Sequence, residues 1–244
     1  MPIKERRTKI LLALFLLSNS NNPYLNLDEK VQKIFDLTLN QKTRGTISGL
    51  LKEELIEKNE KGEYKITIKG LKEIYLQFPF FRFLGDKWDG KWRVISYEIP
   101  EKKREMRDRL RRAMQGWGLG PWHRSFWITP HPIIANLKDL VFGKEEEKYI
   151  QSFDSEHVFG DREVLIEKVW GKTSLDEKYR ELFKAWHEIL SSTEEKPAKL
   201  KKVLANYVNM LRLDPGLPKE LVGEKWIGFE AFDIFKEIRG ILLS

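Results

Sequence analysis

QKTRGTISGLLKEELIEKNEKGEYKITIKGL, Gln41 to Leu71, is the stretch around which the rest of the chain is arranged. From Thr43 to Ile56 the apolar residues fall at Ile47, Leu50, Leu51, Leu55 and Ile56, a spacing that lays one stripe along a helix. The opposite face carries Lys42, Arg44, Thr46, Ser48 and Lys52, cations mixed with short hydrogen-bonding groups. Lys58 to Gly62 then reads as a turn, and Tyr64 to Ile68 alternates with period two, as a half-buried strand does. Lys69-Gly70-Leu71 opens the next helix. A helix followed at once by a small two-stranded wing is the layout of a winged helix-turn-helix. In that motif the second helix presents its N-terminal residues to base edges in the major groove.

The flanks extend the pattern. Ile3–Leu17 and Leu27–Leu39 read as two further helices, with Asp28 and Glu29 suited to the positive N-terminal end of the second. Asn21-Asn22-Pro23 is the turn between them. Gly45 and Gly49 fall inside the helix from Thr43, where a glycine costs about 1 kcal/mol relative to alanine. They serve close approach, either to DNA backbone or to the preceding helix, and packing against that helix is the expected reason. Leu71–Phe78 is a short helix ended by Pro79.

A chain of 244 residues suffices for one large domain or two to three small ones. With 41% hydrophobic and 33% charged residues it builds a core and is not a disordered chain. A net charge of +7 favours a polyanionic partner. The absence of cysteine excludes disulfides, thiolate metal sites and a Cys nucleophile. His123, His131, His157 and His187 form no short metal-ligand spacing. The glycines make neither a P-loop nor a dinucleotide fingerprint, and Ser125 is not in a nucleophile elbow. The expectation is a protein without catalytic constellation or cofactor.

At the N-terminus a basic Lys4–Lys9, an apolar Ile10–Leu17 and a small polar Ser18-Asn19-Ser20 imitate a secretory signal. Glu5 within the basic segment and the helix that follows argue instead for a cytoplasmic protein. The apolar run is also far short of the roughly 20 residues that span a membrane.

Downstream, Phe80-Phe81-Arg82-Phe83-Leu84 reads as an exposed aromatic connector, with turn signals at Gly85-Asp86 and Asp89-Gly90 around Trp88. Trp92–Ile99 is then a strand and Glu101–Trp117 a charged helix with Met106, Leu110 and Met114 facing inward. Short strands at Leu119–His123 and Ser125–Thr129, a helix at Ile133–Phe142 and a strand at Val164–Val169 follow. That order is the split βαβ of a ferredoxin-like fold. Leu175–Leu190, Ala198–Leu211 and Phe229–Leu242 are helical. The expected class is α+β: a winged helix-turn-helix over 1–78, a connector over 79–90, a ferredoxin-like βαββαβ domain over 91–172 and a helical domain over 173–244.

Several blocks keep their order and spacing over most of the chain. They are Trp88-Asp89-Gly90-Lys91-Trp92, Tyr97-Glu98-Ile99-Pro100-Glu101, Arg107 to Arg112 and Gly116-Trp117-Gly118, then Phe126 to Pro130, Leu213 to Pro218 and Trp226-Ile227-Gly228. In these the chain resembles the PaaX family of bacterial transcriptional repressors, named for control of phenylacetic acid catabolism. The resemblance implies a winged-helix N-terminal domain, a central domain similar to the small CRISPR-associated spacer-acquisition nuclease, and a helical C-terminal domain. It also implies homodimers on double-stranded operator DNA; the type member is released by phenylacetyl-coenzyme A. Two positions depart from the family pattern: Glu98 stands where the strand often ends in Asp, and Ile227 where a proline is usual.

These readings assign roles. Arg44 is the candidate for a guanine edge, Thr46 and Ser48 contact bases or phosphates, and Lys42, Lys52, Lys61 and Lys65 contact phosphates. A small acidic effector such as an acyl-coenzyme A needs cations beside an apolar wall, a mixture offered by Arg93, Trp122, His123, Arg124 and Trp127. A dimer would cover the connector and Trp88. Two alternatives stand beside the regulator. A metal-dependent nuclease would use Glu98 as a ligand, although no second carboxylate is placed beside it by spacing. A scaffold that binds nucleic acid or protein would use the Lys/Arg-rich helix from Lys102 to Arg112. No membrane partner is expected.

Overall fold

The computed structural model describes residues 3–18 and 22–243, and Cα packing divides the chain into two compact units. Asn19 and Ser20 of the signal-like stretch and Asn21 of the first turn lie outside the described residues. The elements in order are α1 (Arg6–Leu17), α2 (Glu29–Phe35), α3 (Gln41–Lys52), β1 (Ile56–Lys58), β2 (Tyr64–Ile66) and α4 (Ile68–Gln77). Next come β3 (Lys91–Tyr97), α5 (Arg104–Gly116), β4 (Gly120–His123), β5 (Phe126–Thr129), α6 (Ile134–Val141) and β6 (Ile150–Glu156). The chain ends with α7 (Arg162–Trp170), α8 (Lys172–Ser191), α9 (Lys196–Leu211), α10 (Lys219–Val222) and α11 (Ile227–Leu243). No helix among the described residues is long and apolar enough to cross a membrane.

The first unit comprises Met1–Tyr75, Lys178–Met210 and Ile227–Ser244. Its central helix is α1, in which Ile10, Leu11, Leu12, Ala13 and Leu14 are all fully buried. A helix apolar on every side belongs inside a core, and this accounts for the signal-like run. Arg239 of α11 donates to the carbonyls of Leu16 and Ser18, both at 2.9 Å, and so caps the C-terminal end of α1. Trp186, Tyr207 and Phe235 from α8, α9 and α11 form one ring cluster, with centroids 5.6 Å and 4.8 Å apart in successive pairs.

Local chemistry sets the ends of the helices. Asp28 caps α2 by accepting from Val31 N, and the helix stops at Phe35 because Asp36 turns left-handed at φ 49°. It is thus shorter than Leu27–Leu39. Asn40 Oδ1 accepts from Thr43 N at 3.0 Å, so α3 begins two residues before Thr43. It ends at Lys52, and Glu54 in the left-handed region (φ 60°) turns the chain into the hairpin. Leu55 and Ile56 therefore leave the helix, although both are buried. β1 and β2 pair antiparallel with Ile56 opposite Ile66 and Glu57 opposite Lys65. β2 stops at Ile66 because Thr67 Oγ1 accepts from Gly70 N and caps α4.

The second unit comprises Leu76–Glu177 and Leu211–Trp226. Its sheet has the order β4-β5-β3-β6 with every neighbouring pair antiparallel. The helix α5 joins β3 to β4 and α6 joins β5 to β6, which is the connectivity of a split βαβ. The core consists of Ile95, Tyr97 and Trp127 from the strands, closed by Leu110 and Met114 of α5 and Leu137 of α6.

Three expectations fail here. Val164–Val169 is not a strand but the body of α7: Asp161 caps it through Glu163 N and Val164 N, and Gly171 ends it left-handed at φ 63°. Buried Ile166 and Val169 lie three residues apart, a helical spacing that the β-branched composition disguised. The fourth strand is instead β6, a polar segment whose seven residues pair with β3 from Lys91↔Glu156 to Tyr97↔Ile150.

The connector is the third correction. Phe80 and Phe81 are 2% and 1% exposed, because Pro79 begins a 3-10 turn that drives both rings inward. Gly216, at φ 66°, lies so close that a Cβ there would meet the Pro79 carbonyl carbon at 2.3 Å. The rings are thus covered within their own unit, and they give no reason for a dimer.

Candidate functional site

One surface of the first unit is built from α3 and the β1–β2 hairpin. The helix QKTRGTISGLLK contains no carboxylate, and Thr43, Ile47 and Leu50 are its buried stripe. Thr43 is fixed twice, its N–H to Asn40 Oδ1 and its hydroxyl donating to Thr38 O at 2.6 Å. That buried pair sets the rotation of the helix about its axis. Lys42, Arg44 and Ser48 consequently face solvent, with Lys52 one turn further on.

The side chains of Lys42, Arg44, Lys52 and Lys61 make no ion pair with any described residue. The nearest acid at the helix end, Glu53, is engaged by Arg7 at 3.0 and 2.7 Å, and the same guanidinium holds Glu73. The Arg7 guanidinium keeps the Glu53 carboxyl below its ordinary range. Thr46 is half-buried and its hydroxyl donates to Lys42 O at 3.0 Å, which leaves its oxygen free to accept. Lys61 sits at the exposed tip of the hairpin, in a turn closed by Asn59 and Gly62 (φ 82°). Lys65 differs from the rest: its Nζ donates to Glu57 at 3.1 Å and stands over the Tyr24 ring.

Gly45 and Gly49 do not pack against α2. A Cβ at Gly45 would meet nothing within 4 Å, and one at Gly49 only the end of the Glu53 side chain at 4.0 Å. Both open onto the solvent side of α3, so the expected packing role is replaced by a smooth strip beside Arg44 and Ser48.

The five residues assigned to an effector are split in the second unit. Trp127 is fully buried in the core. Arg93 is 7% exposed at its side chain, held by Asp89 at 2.8 and 2.5 Å and by the Pro130 carbonyl at 3.1 Å. Its charge is thus spent on fastening the start of β3. Trp122, His123 and Arg124 lie on the exposed β4–β5 hairpin. Glu98, the nuclease candidate, follows β3 and is exposed. Arg107, Arg111 and Arg124 line the same cavity as Glu98, which is its sole carboxylate. No group of three or more His, Asp or Glu among the described residues is placed to hold a metal ion. A divalent cation at Glu98 would face three guanidinium groups without a second carboxylate, so the residues present do not fit a metal.

Of the four histidines without metal-ligand spacing, His131 has a role that the sequence does not reveal. It is fully buried, its Nε2–H donates to Pro215 O at 2.7 Å, and its ring stacks on Phe83 at 4.8 Å. Burial, followed by the charge of Arg82, pushes its pKa down to about 3. A neutral imidazole here fastens the Pro215 loop to the end of β5.

The fold and these surfaces define a helix-rich α/β protein, with an acid-free basic helix on one unit and an antiparallel four-stranded sheet in the other. The model of the PaaX protein central Cas2-like domain matches residues 85–165, and that of the PaaX-like protein C-terminal domain matches residues 170–244. The chain belongs to the PaaX-like family. No curated protein matches it. Among solved structures it is similar in fold to the uncharacterized protein Rv0674 from Mycobacterium tuberculosis. That likeness has a TM-score of 0.52 at 16% identity and covers 98% of this chain and 99% of that one.

Proposed function

We propose that this protein is a transcriptional regulator that binds duplex DNA through α3 and the β1–β2 hairpin, acting together as a winged helix-turn-helix. The observation that carries this reading is the state of α3: three cations, no carboxylate, and cationic side chains left unpaired in a chain rich in acids. The acids nearest to it are engaged elsewhere, Glu53 by Arg7 and Glu57 by Lys65. Membership of the PaaX-like family points the same way. Arg44 reads a base edge, Ser48 and the accepting oxygen of Thr46 lie beside it, and Lys42, Lys52 and Lys61 neutralise phosphates.

A single recognition helix covers too few base pairs to single out an operator in a genome, so the regulator acts as a homodimer on two half-sites. The family resemblance adds release by a small acidic effector of the acyl-coenzyme A class. For the central unit we infer no nuclease activity, since Glu98 is ringed by arginines where hydrolysis would need metal held by carboxylates. Selection from a random duplex pool tests the regulator directly. Enrichment of an inverted repeat, lost in Arg44→Gln, is the expected result; a pool that stays random at moderate salt overturns it.

A further inference from the structure

At the C-terminal end of β3 the second unit carries a cavity of about 470 Å³ that the DNA reading leaves unused. Arg107 and Arg111 enter it from α5, one turn apart and so on one helix face. Arg124 and Ser125 enter from the tight turn between β4 and β5, and Glu98 is the one acid in the lining. The other arginines of α5 are largely paired, Arg104 with Asp108 and Arg109 with Glu146. Arg111 and Arg124 have no ionic partner among the described residues. Arg107 holds Glu101 at 2.8 Å through Nη1, while its Nε is buried and meets no acceptor.

The cluster is also oriented. The Arg111 guanidinium lies over the Trp127 indole at 5.9 Å from the ring centroid, and Trp127 is fully buried in the core. One arginine therefore stands on a buried aromatic base, and the turn bearing Arg124 is fastened to β3 by Tyr97 N donating to Ser125 O at 3.1 Å.

From this geometry we propose that the cavity binds the phosphate or diphosphate group of a small phosphorylated ligand. Planar guanidinium groups pair two phosphate oxygens at a time, and convergent arginines outcompete water for a doubly charged anion. The Ser125 hydroxyl supplies a further donor. The size suits a small molecule; a nucleic-acid track is instead an open groove that follows the backbone past many cations. Binding here does not depend on α3. Only a regulatory consequence, release from DNA, would rest on the regulator reading, and the test below contains no operator.

Calorimetric titration of the full chain with ADP and with inorganic pyrophosphate, against sulfate as the ionic control, decides the matter. Saturable binding of ADP and pyrophosphate is expected, with sulfate, a dianion that offers no second charged group, about tenfold weaker or more. Arg111→Gln and Arg124→Gln should each weaken it about fivefold or more, and Arg112→Gln, on α5 but outside the cavity lining, should leave it unchanged. Glu98→Gln should tighten binding several-fold, a gain that a misfolded variant cannot produce. Absence of saturable binding at low-millimolar ligand overturns the proposal, as does equal loss in Arg112→Gln or no gain in Glu98→Gln. So does a result in which Arg111→Gln and Arg124→Gln weaken random-sequence duplex while ADP binding stays as in the wild type, which would assign the arginines to nucleic acid.

Discussion

Glu57 accepts a hydrogen bond from Lys65 Nζ across the hairpin at 3.1 Å, in a directly opposed pair of β1 and β2. The bond withholds from DNA one of the cations that the wing would otherwise offer. Glu57→Gln should therefore raise affinity for any duplex several-fold at low salt, without changing sequence preference. Lys61→Gln, at the unpaired tip, should weaken binding more than Lys65→Gln does. Anisotropy titrations over a salt series check both, because a lost phosphate contact lowers the slope of log K against log salt by about 1.

Gly45 separates two explanations of α3. In an exposed helix interior with open space around its Cα, Gly45→Ala should stabilise the fold by about 0.5–1 kcal/mol. If the smooth strip exists to admit DNA, the same change should weaken operator binding at least several-fold. Thermal melts and binding measured on the one variant give the answer. A more stable protein with unaltered binding would show that the strip never meets DNA.

Much of the first unit was legible because its periods are clean: 3.6 over Thr43–Leu51 and 2 over Tyr64–Ile66. Asn40 was missed as the cap of α3, although an Asn three residues before Thr43 is an ordinary capping signal. The β6 strand was illegible because five of its seven residues are polar, its Phe153 is exposed, and pairing alone defines it. Asp161 and Gly171 did announce α7, but the apolar run between them imitated a strand. The exposure of Arg44 and Lys42 followed from the stripe opposite. The fate of Arg93 did not, since nothing in the local sequence reveals that the Pro130 carbonyl comes within 3.1 Å of it. The arginine cavity was equally hidden: Arg107 and Arg111 signal one helix face, while Arg124 joins them only through the sheet.

The inference of no nuclease activity has a direct check. Purified protein with Mg²⁺ or Mn²⁺ should leave RNA and DNA intact. Cleavage abolished by Glu98→Gln would reverse the inference, whereas cleavage that survives that substitution belongs to a contaminant.

The buried imidazole of His131 makes stability depend on pH. Its folded pKa of about 3 lies below the ordinary value of 6.5, so between these limits the unfolded chain binds a proton that the native state refuses. The contribution is complete above pH 6.5 and is lost as pH falls through that window. Between pH 7 and pH 5 the loss should approach about 2 kcal/mol. Replacement by Gln keeps a donor for Pro215 O but cannot titrate. His131→Gln should be less stable than wild type at pH 7, because the Phe83 stack is lost, yet its stability should fall less steeply with acid. Urea denaturation at pH 7 and pH 5 gives both slopes. Parallel loss of stability in the two proteins would mean that other groups, and not His131, set the acid sensitivity.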